Sequence, residues 1–455
     1  MASGRGGVRC RRRLVYCPAV GHIYDNPGVT GRSPLDDRRF RSLLLAIAGI
    51  PILLLYIWQS VIVPIAFAGS LGDLKESYLL AAGQLVAGRD PYALCHTLCL
   101  DPRGQGYVTP PPLAWLLQPV VGLDSHVVAV GAVLFLNASL VIFVACMVRA
   151  LRVVDWQLGA LLVLVVIAFE PVNGNIVEGQ INLVLLALSG VWLLGWIADR
   201  WWGGVALGLS VALKLIQAPT GLLFLWAKRW SMLAAGMVAG LGIWLLAVPQ
   251  YLPEYLFKVL PAISQGTGLF ENHSPGGTIV RFFDPTSFLG ATQAVPLQAR
   301  IVTLGVAIAA LALTFWVLGS PRRDWSGRAL EAAAATAVCP LVTSYSWGTH
   351  LVLLLLPMLV LVEWGVRRRD WTVLGLVALG WLLIGPGHNW FQTLLVSGYS
   401  NLLVLRLMAE FGVVGITSVW VASLLALRRQ RTDLMRLTNT VPTNKNTTAL
   451  ENTIR

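Results

Sequence analysis

GSLGDLKESYLLAAGQLVAGRDPYALCHTLCLDPRGQGYVTPPPLAWLL, residues 69–117, is the stretch whose reading decides the fold. It holds Asp73, Lys75, Glu76, Arg89, Asp90 and Asp101, so it is too polar to cross a bilayer, yet apolar runs flank it in a chain that is only 12% charged. Ionisable groups gathered between two such segments are costly and mark a functional site by default. Inside the stretch, residues 77–86 have a helical period. Pro110-Pro111-Pro112 starts a short apolar helix ending near Leu123, too short to span and therefore laid along the membrane surface.

Working outward, the chain has 455 residues, of which 56% are hydrophobic and 18 are tryptophan. Apolar runs of Leu, Val, Ala, Ile and Gly with Trp at their ends describe an all-α polytopic membrane protein, and long runs without alternation exclude an outer-membrane barrel. The runs predict about twelve transmembrane helices (10–13). Spans are expected near 42–65, 126–148, 157–171, 180–198, 231–249, 301–318, 329–343, 349–365, 371–387 and 402–427. Two short helices over 201–230, broken at Lys214 and Pro219, complete the count. Interfacial helices occupy the first outer loop, 66–125, and a second polar outer loop covers 250–300. A disordered arm is expected over 1–41, the transmembrane domain over 42–427 and a tail over 428–455.

The net charge of +12 raises the question of nucleic acid, but the placement of the charges answers it. Of 34 basic residues, 26 fall at 5–41, 149/152, 200, 228/229, 322–328, 367–369 and 428–455, all on one side of the expected topology. This positive-inside bias makes both termini cytoplasmic in a multi-pass cell-membrane protein, with no nucleic-acid partner. Cys95 and Cys99 share the outer loop at a one-turn spacing, where a disulfide is permitted though awkward on a regular helix. Their Cys-His-Thr-Leu-Cys pattern has no zinc or haem spacing.

The topology sends four polar sets to the other side: Asp73 to Tyr92, Glu170 to Asn182, Lys214 alone, and Glu271 to Arg281 with Tyr345, Trp347 and His350. Each residue also has a plainer reading. Asp73 suits an N-cap, with Glu76 a rival carboxylate one turn later. Asp90-Pro91-Tyr92 is a turn signature, and Gln180 and Asn182 could cap a membrane helix. Lys214 must either snorkel or meet an anion. His273 and Arg281 fit a solvated loop, His350 fits a structural histidine, and Arg406 is placed to pair with Glu410.

In order and spacing, several motifs of the chain resemble glycosyltransferase family 87: Asp73 with Tyr78, Gly88-Arg89-Asp90-Pro91-Tyr92, Tyr107 to Pro112, Gly179-Gln180-Ile181-Asn182-Leu183, Gly208 to Lys214, and Ser344-Tyr345-Ser346-Trp347 to His350. The resemblance covers about 43 to 365. It implies a GT-C fold and transfer of a sugar, mannose above all, from a polyprenyl-phosphate donor to a glycolipid or glycan acceptor among the membrane lipids. It also implies that Asp73 is the general base and that the extracytoplasmic face carries the active site. A single displacement inverts the anomeric centre and needs only one carboxylate, since phosphate already leaves well. Lys214, Arg281 and His350 are the candidate cations for the departing phosphate. Lys75, Glu76, Tyr78, Asp90, Tyr92, Gln180, Asn182, His273 and Trp347 are the remaining candidate substrate contacts, with Trp347 able to stack on a sugar. No Asp-x-Asp motif lies in the outward loops, so neither a metal nor another cofactor is expected. The competing reading is a transporter or lipid-linked glycan flippase. That reading calls for ionisable groups near the midplane and paired halves, and the chain has neither.

Overall fold

The computed structural model describes residues 37–67, 71–93, 106–290 and 295–440, with side chains through 432. Residues 1–36 of the arm, Cys95, Cys99 and residues 441–455 lie outside the described residues. All regular structure among the described residues is helical. In chain order the helices are α1 (Arg38–Ala66), α2 (74–86), α3 (Pro111–Leu117), α4 (Ser125–Ala150), α5 (Trp156–Ile167), α6 (Glu170–Glu178) and α7 (Asn182–Ala198). Then follow α8 (Trp202–Leu213), α9 (Leu215–Trp226), α10 (Trp230–Ala247), α11 (252–264), α12 (Pro275–Phe283), α13 (Leu297–Leu318) and α14 (Trp325–Ala337). The last are α15 (Gly348–Arg368), α16 (Trp371–Ile384), α17 (Pro386–Val396), α18 (Leu402–Ala409) and α19 (Phe411–Thr440).

Among the described residues, seven helical segments are long and apolar enough to cross a membrane, or eight when α5 and α6, bent by 57°, count as one span. An all-α polytopic membrane protein is therefore what the chain forms, but twelve full spans are not present among the described residues. The shortfall comes from α7, α8, α9 and α14, which are apolar or alanine-rich but too short to span alone. α7, α8 and α14 are interior helices, and α9 buries Ile216, Leu223 and Phe224 while exposing Leu222 and Leu225. In α14 every residue from Ala329 to Ala337 is buried, and α7 buries both Trp192 and Trp196. A run buried by protein on all sides reads like a lipid-facing run in sequence, because both exclude water.

Small residues decide which helices touch. In α8 and α10, Gly204 and Gly208 face Met232, Gly236 and Gly240 so closely that a Cβ on Gly208 would stand 2.1 Å from the Gly236 carbonyl oxygen. Two small-xxx-small faces thus let backbones meet where lipid offers no hydrophobic drive for association. The opposite face of α10, with Met237, Val238, Leu241, Leu245 and Leu246, remains exposed and apolar, as a lipid-facing surface should. α16 packs on α19 in the same manner through Gly380 and Gly415.

Carboxylates and arginines finish one end of the bundle. Asp155, Asp324 and Asp370 accept backbone N–H groups at the starts of α5, α14 and α16. Around them Arg41 pairs with Asp155 at 2.8 Å, Arg152 lies 4.4 Å from the Trp325 ring, and Arg229 lies 3.6 Å from the Trp196 ring. Arg328 Nη1 donates to the Ile197 carbonyl at 2.7 Å. These are the basic clusters that the sequence assigns to one face.

At the other end, α3 buries Pro111 to Ala114 against the bundle, and the expected outer loop of 250–300 contains α11 and α12 instead of irregular chain. The break at Lys214 is present: α8 stops there and the chain resumes as the tight turns of α9. The last helix continues to Thr440, past residue 428.

Substituting Gly208→Leu should force α8 and α10 apart and lower stability by about 1–3 kcal/mol. Gly242→Leu on α10, where a Cβ meets open space, should leave the thermal midpoint in detergent unchanged.

Candidate active site

Gly179 ends α6 with φ +67°, a left-handed conformation that suits glycine, and a Cβ there would stand 2.6 Å from the Leu74 Cβ. The two constraints act together. The turn redirects the chain from α6 into α7, and the close contact lays it against the start of α2, where Asp73 sits. Gln180, 6% exposed, consequently points at Asp73.

One carboxamide then joins three distant parts of the chain. Gln180 Nε2 donates to Asp73 Oδ2. Its Oε1 accepts the Tyr78 hydroxyl at 2.6 Å and the Lys214 ammonium at 3.2 Å, with Asn182 Nδ2 at 3.5 Å. Lys214 also donates to Asn182 Oδ1 at 3.1 Å. Several plainer readings fall away. Asp73 makes no side-chain cap to the helix it precedes, and neither Gln180 nor Asn182 caps α7. Lys214 does not snorkel; it turns into the bundle end toward a carboxylate held one amide away.

Burial raises the Asp73 carboxyl above its ordinary value, while the Gln180 hydrogen bond and then the Lys214 charge pull it back. Glu271, to which the sequence attaches no role, is pushed up to about 7, chiefly by burial and then by the carboxylates of Glu178 and Asp73. A Cβ on Gly72 would stand 2.8 Å from Glu178 Oε2, so the missing side chain before Asp73 makes room for that carboxylate. Tyr345, likewise without a role from the sequence, has its hydroxyl raised well above the usual range by burial and then by Glu271 and Asp73. The signal for Glu271 and Tyr345 is their adjacency to the motifs Asn272-His273-Ser274 and Ser346-Trp347. The expected topology puts both on the side of Asp73, but the residue order does not say that they approach it.

Trp347 and His350 stand on the same wall. The Tyr345 and Trp347 rings are 4.6 Å apart, and the Trp347 backbone N–H donates to His350 Nδ1 at 3.3 Å. Asn175 ties this wall to α6 by donating to the Thr349 carbonyl at 2.8 Å. Lys75 is half-buried and Glu76 exposed beside Asp73.

Four sequence candidates have other engagements. Tyr92 is 0% exposed between the rings of Tyr107 and Tyr255, and its hydroxyl donates to the Thr109 carbonyl at 2.9 Å. Asp90 Oδ1 accepts the Tyr92 N–H at 2.8 Å, the turn its sequence signature predicts. Arg281 forms a bidentate pair with Glu410, Nε to Oε1 at 2.8 Å and Nη2 to Oε2 at 3.0 Å, and donates Nη1 to the carbonyls of Leu269 and Asn272. Nη2 also reaches Thr278 Oγ1 at 3.4 Å, so every guanidinium N–H has an acceptor. The expected pairing of Arg406 with Glu410 is thereby replaced, and Arg406 instead donates to the Pro285 carbonyl at 2.9 Å. His273 is packed against Gly412 and the His388 ring, 5.1 Å away, and burial with the neighbouring His388 and Arg281 holds its imidazole well below the usual value. It is a neutral packing residue.

Arg281→Gln should leave Glu410 without its partner and cost about 3 kcal/mol, read as a lowered thermal midpoint in detergent. The paired change Arg281→Met with Glu410→Leu should recover most of that loss, an outcome at odds with a phosphate-binding Arg281.

Comparisons agree with this geometry at the level of family. The chain is 28% identical over 295 residues to a polyprenol-phosphate-mannose-dependent alpha-(1-2)-phosphatidylinositol mannoside mannosyltransferase of Mycolicibacterium smegmatis, covering 59% of this chain and 63% of that protein. It is 29% identical over 230 residues to the corresponding pentamannoside mannosyltransferase of the same organism, covering 47% of this chain and 52% of the relative. An alpha-(1->3)-arabinofuranosyltransferase of Mycobacterium tuberculosis is 30% identical over 198 residues, 41% of this chain and 44% of that one. The alignments thus span from under half to just under two thirds of the relatives' lengths. No solved structure matches the chain. The family model for glycosyltransferase family 87 matches residues 107–344, which hold Gln180, Asn182, Lys214, His273 and Arg281 but not Asp73, Trp347 or His350. That match takes in more than half of the chain, which belongs to glycosyltransferase family 87.

Proposed function

We propose that this protein is a membrane glycosyltransferase that moves mannose from a polyprenyl-phosphate donor to a lipid-linked or envelope glycan acceptor on the extracytoplasmic face. The observation that carries the reading is the tie between the Asp73 carboxylate and the Lys214 ammonium through the Gln180 amide. Transfer of a glycosyl group from a phosphate ester needs a base on the acceptor side of the anomeric carbon and a cation on the leaving-group side, and this network supplies one of each. Membership of family 87 and the names of the relatives support the donor class.

In the proposed reaction, Asp73 accepts the proton of the acceptor hydroxyl as its oxygen attacks the anomeric carbon. The bond from that carbon to the phosphate oxygen breaks, and the electron pair leaves with polyprenyl phosphate. Lys214 stabilises the charge gathering on that phosphate, and a single displacement inverts the anomeric centre. Glu76, Tyr78, Asn182, Trp347 and His350 line the same space, with Trp347 offered to a sugar face. Gln180 acts through its neighbours: it orients both the base and the cation, and its hydrogen bond opposes the rise that burial imposes on the Asp73 carboxyl. The flippase alternative lacks support in the same features, since the ionisable groups converge at one end of the bundle.

Purified full-length protein, given radiolabelled polyprenyl-phosphate mannose and envelope lipids, should transfer label, with the corresponding arabinofuranosyl donor as the competing arm. Asp73→Asn should reduce kcat by at least about 10²-fold without changing the thermal midpoint. Full activity in that variant would remove Asp73 as base. Lys214→Met should lose rate with the phosphate donor while the protein remains folded.

A pH profile tests Gln180. The base must be deprotonated, and its value is raised, so kcat/KM should fall as pH drops, and at a higher pH than a free carboxylate would give. Removing the hydrogen bond that lowers the Asp73 value should move this acid limb to still higher pH in Gln180→Ala. A Gln180 that serves only as packing would change the rate but leave the limb in place.

A further inference from the structure

A cavity lies far from the site just described. It is about 280 Å³ in volume and is lined by Trp316, Val317, Arg428, Arg431 and Thr432, between the last turn of α13 and the polar end of α19. α13 is 22 residues long, about 33 Å at 1.5 Å per residue, and its first turns pack at Thr303 against Gly276 on the site side. The cavity is therefore at the end of the bundle opposite Asp73, among the basic clusters, and the proposed transfer reaction makes no use of it.

We propose that this cavity binds the headgroup of an anionic phospholipid. Arg428, Arg431 and Thr432 follow at helical spacing and share one face of α19, and among the described residues no carboxylate lines the cavity. The acids nearby are engaged on the other face of the helix: Arg429 pairs with Asp370, and Gln430 donates to Asp324 at 3.1 Å. Two guanidiniums are thus held on the same side of one helix turn with no acid between them among the described residues, a fork that a phosphate diester would fill.

Both arginines are positioned by their surroundings. Arg428 Cζ is 5.9 Å from the Trp316 ring centroid, within cation–π reach. Arg431 enters the space left by Gly319, where a Cβ would stand 2.8 Å from its Nη1. Gly319 caps α13 with φ +63°, so the absence of a side chain there serves both the turn and the guanidinium.

A lipid, as distinct from a soluble phosphate, follows from what leads to the cavity. Ile301, Leu304, Ile308 and Trp316 form an exposed apolar stripe down α13, and the stripe ends at the two arginines. Acyl chains would lie along it with the headgroup at the tryptophan, the depth at which indoles and headgroups meet.

The test is native mass spectrometry of the full-length protein released from mixed micelles of phosphatidylglycerol and phosphatidylcholine. Wild type should retain one phosphatidylglycerol in preference to phosphatidylcholine, and each of Arg428→Gln and Arg431→Gln should weaken that retention about fivefold. Trp316→Ala, which alters no charge, should also weaken it, whereas Arg323→Gln, an exposed loop arginine that does not line the cavity, should not. Equal retention by the double arginine variant would overturn the proposal. So would an equal loss in Arg323→Gln, which would mean general attraction to a basic surface, or displacement of the lipid by glycerol phosphate alone. Sugar transfer in the arginine variants is read separately, so failure here leaves the Asp73 reading standing.

Discussion

The Gln180 carboxamide is the interaction on which the rest of the site depends. A carboxylate and an ammonium carried into a bundle end would ordinarily collapse onto each other, because their attraction grows as water is excluded. Here an amide is interposed, its N–H toward Asp73 and its oxygen toward Lys214 and Tyr78. The dipole satisfies both charges while holding them apart. Reversing the amide would set its oxygen against the carboxylate and its N–H₂ against the ammonium, so the network itself dictates the orientation.

That amide is placed by backbone constraints, not by its own packing. Gly179 turns the chain and admits Leu74, the Lys214 break ends α8, and α8 is held by its glycine face on α10. The structure therefore couples a lipid-exposed helix to the polar site through two rows of small residues. Interior helices too short to span serve the same purpose. The break takes backbone carbonyls out of the helical ladder, and that of Ala212 accepts Trp244 Nε1–H at 2.9 Å; such a break is tolerated where surrounding protein supplies partners.

Much of this was legible in the sequence because bilayers impose simple rules. Apolar length, tryptophan position and the one-sided placement of arginine yield the all-α polytopic class and the shared location of Asp73, Gln180 and Lys214. The number of spans was not legible. Hydropathy reports distance from water, and Ala329 to Ala337 are far from water because protein surrounds them. Side-chain direction was also hidden: Tyr92 and Asp90 belong to a motif whose spacing is the same whether it builds a turn or a contact, and the structure assigns them to the turn.

Arg281 and Lys214 show why a buried cation cannot be read from residue type alone. Each lies in a largely apolar chain, and each is a plausible phosphate partner by charge. Arg281, however, has five N–H donors in a planar fork, and Glu410 with three nearby oxygens uses them all. Lys214 receives only neutral amide oxygens from Gln180 and Asn182, and its nearest compensating carboxylate is one side chain removed. A cation with its counter-ion in bidentate contact has no electrostatic reason to bind another anion. One that is hydrogen-bonded but not neutralised still does, and in the proposed reaction that difference favours Lys214 over Arg281 as the partner of the leaving phosphate.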